Sequence, residues 1–248
     1  YIMERYKNGL TGRGSQTKNP DIKFDKPSFA KKAFDLPRIS QLNKEHLARK
    51  YLENRKIPEE YFRDLYFCEN FKEWTNTQKY TFDKIGQDEP RIIIPLINEG
   101  KIIGFQGRSL QKNSKIKYIT IMLEEDAPKI YGLDKINTEN RIYVTEGPFD
   151  STFISNSIAL CGADGDIGKW ITGNIVWIYD NEPRNREIVQ RIDKTIQHGK
   201  AVVIWPKDIQ EKDINDMFLS GLNVQSVIES NIFSGLEAKL KFNTWKKI

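Results

Sequence analysis

Three short, almost wholly apolar runs in the second half of the chain each end in acid: "RIYVTEGPFD" (141–150), "NIVWIYDNEP" (174–183) and "AVVIWPKD" (201–208). Apolar runs of this length, rich in Val, Ile and aromatic residues and without polar alternation, read as strands buried on both faces. "IALC" (158–161) reads as another. Helical patterns separate them at 149–156, near 164–171 and in the amphipathic "PRNREIVQRIDKTIQHG" (183–199), which Gly199 closes. "INDMFLSG" (214–221) starts a last short helix. Alternating strands and helices joined by short loops predict a parallel sheet covered by helices on both faces.

In such sheets ligands bind beyond the C-terminal ends of the strands, where this sequence concentrates its acids. Glu146 leaves the first strand and Asp150 follows four residues on. Asp180 and Glu182 leave the second, two residues apart and on one side if the backbone stays extended. Asp208, Asp213 and Asp216 follow the third. If the strands are neighbours, these carboxylates share one edge and repel unless protons or divalent cations offset them. Loops and helix N-termini also favour single acids. That ordinary explanation covers any one residue but not the ordered series EGxxD, DxE, KDxND.

Upstream the pattern changes. Residues 1–9 suit a short helix and 9–27 a basic linker without periodicity. Gly9 and Gly14 have the spacing of a phosphate-binding loop, but Ser15-Gln16 stand where Lys and then Ser or Thr are required, which rejects it. From about 28 to 66 the spacing is helical, with Leu42, Leu47, Tyr51 and Leu52 near one face. "RIIIPLINEGKIIGFQGRSL" (91–110) reads as a hairpin about Asn98-Glu99-Gly100, and "IKYITI" (116–121) adds a strand.

The formal net charge is +5. Residues 1–50 hold 12 Lys/Arg against 5 Asp/Glu, and 101–117 carry Lys101, Arg108, Lys112, Lys115 and Lys117 with no acid. Two localised clusters favour a polyanionic partner such as nucleic acid. The absence of a long apolar run or charged-then-apolar leader disfavours membrane spanning and secretion, so a cytoplasmic protein is expected. Cys68, Cys161, His46 and His198 have no metal-ligand spacing, and no zinc site is expected within this chain. Because the first residue is Tyr1, part of a longer product is expected.

The acid series resembles the Toprim domain shared by primases, topoisomerases and some nucleases, over roughly residues 139–220. Glu146 in "TEGPFD" matches the family's first glutamate, and Asp180 and Glu182 match its paired acids. Upstream, "RIIIPLINEGKIIGFQGRSL", "IKYITI" and "APKIYGL" resemble the N-terminal half of the RNA-polymerase core of DnaG-type primases, most like those of T-even-type bacteriophages. Two departures stand out. Glu182 replaces the aspartate of many relatives. In "KDIND", Asp213 matches a later acid but Asn215 holds the place of the next, leaving Asp216 to substitute.

The resemblance implies an α/β fold: a Toprim domain (139–220) preceded by a mixed α+β primase-type subdomain (28–138), with an N-terminal helix and linker (1–27) and a C-terminal tail (221–248). It implies RNA-primer synthesis on single-stranded DNA by ribonucleotidyl transfer, in the cytoplasm of an infected bacterium if the chain is phage-encoded. Glu146, Asp180, Glu182, Asp213 and Asp216 would hold Mg2+ (or Mn2+), Glu146 serving as ligand or base. Arg108, Lys117 and Lys129 match the family's basic ridge. With Lys112 and Lys115 of the same patch, and Arg184 and Arg186 behind the paired acids, they are candidates for binding nucleotide or DNA. Ribonucleoside triphosphates and a separate replicative helicase are the implied partners, and the zinc-binding module usual in such primases is expected to be absent here. Two alternatives remain open: a Toprim-type metal-dependent nuclease, and a non-catalytic single-stranded-DNA-binding subunit.

Overall fold

The structure is a computed structural model that describes residues 33–162 and 167–248. The helix and linker expected over 1–27, and the start of the helical stretch near 164–171, lie outside the described residues.

The first sheet is antiparallel, in the order β1 (Tyr66–Cys68), β2 (Arg91–Asn98), β3 (Lys101–Ser109), β4 (Tyr118–Met122). The expected hairpin is its centre. Glu99 and Gly100 both have positive φ (51° and 71°), as a tight two-residue hairpin turn requires. The Asp134 carboxylate holds that turn by accepting from both N–H groups at 2.8 Å. Strand β2 is apolar from Ile92 to Ile97 because it is buried on both faces. Ile92, Ile94 and Leu96 enter one cluster with Leu52 and Phe62, while Ile93 points the other way toward Phe34, Phe71 and Phe105. Gly107 in "GFQGR" is required by close approach, since a Cβ there would stand 2.4 Å from the Phe71 ring.

Between about 28 and 66 the helical reading is too long. Helix α1 covers only Leu47–Asn54, with 3-10 turns at Ile39–Gln41 and Glu59–Arg63. His46 caps α1 by accepting from the Ala48 N–H, and Pro58 stands after its end. Leu52 is buried but Leu47 is exposed, because the short helix turns Leu47 away from the core. Helix α2 (Phe71–Gln78) follows β1.

The second sheet has the order β10 (Ile232–Phe233), β9 (Ala201–Val203), β8 (Ile175–Trp177), β6 (Ile142–Thr145), β7 (Ser157–Leu160), β5 (Ile130–Tyr131). The central four are parallel, and β5 and β10 close the edges antiparallel. Helix α3 (Pro148–Ser151) links β6 to β7, and α4 (Arg186–Gln197) links β8 to β9. Strand β8 therefore lies beside β6, with Val144 opposite Trp177, so their acid-bearing ends meet. Helices α5 (Ile214–Leu219), α6 (Val224–Glu229) and α7 (Gly235–Trp245) complete the described fold.

Residues 221–248, expected as a tail, form α6, β10 and α7. Ala238, Phe242 and Trp245 recur at i, i+4 and i+7 and are buried in the second sheet's core. The two sheets share an apolar cluster in which Ile92 and Ile94 of the first meet Tyr131, Phe149, Ala159 and Cys161 around the second. None of the helices among the described residues is long and apolar enough to cross a membrane.

Candidate active site

Strand β6 hands directly to α3 through Gly147 and Pro148. Proline suits the first helical position because its missing N–H would lack an intrahelical partner there. This tight junction leaves Glu146 half-buried at the sheet edge. Its Oε2 accepts from the Asp180 N–H at 3.1 Å and its Oε1 from Arg191 Nη1 at 2.8 Å. Burial raises the Glu146 carboxyl above its usual range, although these two donors oppose the shift. One turn on, Asp150 folds back over Gly147, where a Cβ would stand 2.9 Å from its Oδ2. Its Oδ1 accepts from the Asn215 N–H at 3.3 Å. Burial, then the charge of Asp213, pushes Asp150 up to about 7.

Asp180 faces the same group. Burial, then the charges of Glu146, Asp150 and Asp213, pushes it up to about 8, and no described residue donates a hydrogen bond to its carboxylate. Strand β8 ends at Trp177, so Asp180 and Glu182 follow it on a turn and not on extended backbone. The Trp205 indole donates to Tyr179 O at 2.7 Å, and the chain turns so that the Glu182 N–H donates to Asp180 O. Glu182 meets Lys212 Nζ at 3.3 Å and accepts from Asn185 Nδ2 at 2.9 Å. Asp213 caps α5 by accepting from the Asp216 N–H at 2.8 Å. Asp216 is exposed in the first turn of α5, and Asp208 is exposed before it.

The structure thus brings Glu146, Asp150, Asp180 and Asp213 into mutual electrostatic reach and leaves Asp208 outside. Among the described residues, no three His, Cys, Asp or Glu side chains are gathered closely enough to hold a metal ion as they stand. The chemistry of the set nevertheless suits a hard divalent cation. Its donors are all carboxylate oxygens, and two of the acids are held near or above neutrality by burial and by their neighbours' charge.

Three basic partners of the acids are not among the residues expected at the site. Arg191 lies on α4 and also binds Glu187 at 2.8 Å, one helical turn away. Lys212 stands beside Asp213. Arg55, at the end of α1, donates from Nη1 to Asn215 Oδ1 at 2.9 Å, and Asn215 Nδ2 returns a bond to Arg55 O at 2.7 Å. Asn215, buried where the resemblance led to an acid, therefore fastens α1 to the acid edge. Only its occurrence inside the acid series marked it beforehand.

Of the basic candidates, Arg108 lies 4.5 Å from the ring of Tyr118 and 5.6 Å from that of Tyr51. Arg55 lies 5.2 Å from the same Tyr51 ring. Arg108 Nε and the Tyr51 hydroxyl are buried without a hydrogen-bond partner among the described residues. The Lys117 ammonium is spent on its own loop, donating to the carbonyls of Lys112 and Gln111. Lys112, Lys115, Lys129, Arg184 and Arg186 are exposed.

The chain is 36% identical over 218 residues to a DNA primase of Enterobacteria phage T4, covering 85% of this chain and 64% of that relative's length. No protein-family model matches. Among solved structures, the E. coli primase catalytic core shares 19% identity at a TM-score of 0.59, over 83% of this chain and 79% of that one. A DnaG primase catalytic domain bound to single-stranded DNA gives 19% and 0.60, over 84% and 78%. The RNA polymerase domain of Mycobacterium tuberculosis DnaG gives 17% and 0.57, over 77% and 78%. The fold is that of DnaG-type catalytic cores.

Proposed function

From this likeness in sequence and fold, we propose that the chain is the catalytic core of a DNA primase, making short RNA primers on single-stranded DNA during phage replication in the bacterial cytoplasm. The observation that carries the reading is the convergence of Glu146, Asp150, Asp180 and Asp213 at the C-terminal edge of β6 and β8. In this reading residues 28–138 and 139–220 act as the two halves of the core. Ribonucleoside triphosphates are the substrates, and a separate helicase supplies unwound template.

Glu146, Asp180 and Asp213 would hold a divalent cation, with Glu182 and Asp216 as further candidate ligands. Magnesium, when bound, supplies Lewis acidity toward the attacking hydroxyl and charge neutralisation at the triphosphate. Asp150, its carboxyl pushed up to about 7 by burial and the charge of Asp213, can accept or return a proton at its Oδ2. Glu146 is the alternative base, in competition with its ion pair to Arg191. Arg108, stacked between Tyr118 and Tyr51, presents a fixed guanidinium suited to bidentate phosphate binding. Lys112, Lys115 and Lys129 provide the looser electrostatic track for template.

The test is incubation of the chain with single-stranded DNA, labelled ribonucleotides and magnesium. A ribonucleotide polymer supports the reading. A cleaved strand would support a nuclease, and a mobility shift without either product a binding subunit.

A further inference from the structure

Beside Glu182 lies a cleft of about 520 Å³, within the size range of small-ligand sites. It is bounded by the 181–185 turn, the 206–210 loop and the end of α7. Its walls are tied together. Asn181 Nδ2 donates to Ile209 O at 3.1 Å and Glu211 O at 3.0 Å, its Oδ1 accepts from the Trp245 indole at 2.9 Å, and the Lys247 N–H donates to Pro183 O at 2.9 Å. Three exposed cations line the cleft: Arg184, Lys207 and Lys247. None makes an ion pair among the described residues. The one acid in the wall, Glu182, is already engaged by Lys212 and Asn185. Pro183, Pro206 and Ile209 supply an apolar floor.

We propose that this cleft is a binding site for one phosphate-bearing nucleotide unit, separate from the acid cluster. Its size and floor suit one sugar–base unit, and the three cations lining its hydrogen-bonded frame suit its phosphates. The unit is either a free nucleoside triphosphate or one residue of a single strand. The phosphate chemistry is shared and the experiment separates the two sources. This inference does not depend on the polymerase reading, because it concerns binding without divalent metal.

Binding of ATP and of a short oligothymidylate is measured by calorimetry in EDTA, for wild type and for the Lys207→Glu, Lys247→Glu double variant, with melting curves on the same samples. Reversing two of the three charges that face the phosphates should weaken binding by about tenfold or more. Weakening for ATP identifies the free nucleotide as a ligand; weakening for the oligonucleotide alone identifies a strand. Equal affinity of both proteins for both probes overturns the site. If the double variant fails to fold, photocrosslinking of wild type with azido-ATP and with a 4-thiothymidine oligonucleotide replaces it. Adducts of either probe at 206–210 or 244–247 support the cleft, and adducts of both probes confined to other segments overturn it.

Discussion

Arg191 Nη1 lies 2.8 Å from Glu146 Oε1, while the Asp180 N–H occupies the other oxygen of the same carboxylate. The acid that leaves β6 is therefore held on both sides. Arg191 therefore competes for Glu146 with any cation or proton it would take up, whereas no described residue donates a hydrogen bond to the Asp180 carboxyl, which burial and the neighbouring acids push up to about 8.

Glu146→Gln and Asp180→Asn should each fold and bind DNA while primer extension falls by roughly two orders of magnitude or more. Because the two groups act as a unit, the double variant should be little worse than either single one. Extension rates, DNA-binding isotherms and melting curves on the same samples check this. Near-normal extension by folded Glu146→Gln protein would remove Glu146 from the chemistry.

The crowded acids predict a pH-dependent stability. Asp180 is pushed up to about 8 and Asp150 to about 7 in the folded chain, above their ordinary range. The folded state therefore binds more protons than the unfolded one between about pH 4 and 8. Their contribution to stability is complete below that window and is lost as pH rises through it. In EDTA the melting temperature should fall from pH 5 toward pH 8.5, less steeply in Asp180→Asn. Magnesium should raise it most at the alkaline end. Parallel pH profiles for wild type and Asp180→Asn would contradict the shift assigned to Asp180.

Arg55→Ala leaves the buried Asn215 Oδ1 without its donor and should cost about 1.5–3 kcal/mol. Asn215→Ala alone should destabilise similarly, and the double variant by less than the sum, since the two side chains share one interaction. Urea denaturation of the four proteins measures the coupling. Strict additivity would show that the bond between α1 and α5 contributes nothing.

Charge removal in the 101–117 patch should lower the salt slope of single-stranded-DNA binding by about 0.7 for each phosphate that no longer meets a cation. Since Lys117 already donates to the carbonyls of Lys112 and Gln111, Lys112→Ala, Lys115→Ala should account for most of the change. Adding Lys117→Ala should chiefly loosen the loop. An unchanged slope in the triple variant would make the patch ordinary solvated surface.

The local pattern of residues determined which runs are strands and that acids follow them. Apolar β-branched runs find their stable place in a doubly buried sheet, and parallel strands put their C-terminal ends on one side. The two-residue turn at Glu99-Gly100 was equally local. Tertiary structure decided which acids act together. After β8 the Trp205 indole donates to Tyr179 O from beyond the next strand, and Asp180 and Glu182 lie on a turn where the sequence suggested extended backbone. Asn215 binds Arg55, 160 residues away in the chain. Residues 221–248 became part of the core because the apolar stripe of α7 found the face of the second sheet. Periodicity encodes which face of an element is apolar. The partner that covers that face, and the side chain that wins a contested hydrogen bond, depend on distant segments brought together only by folding.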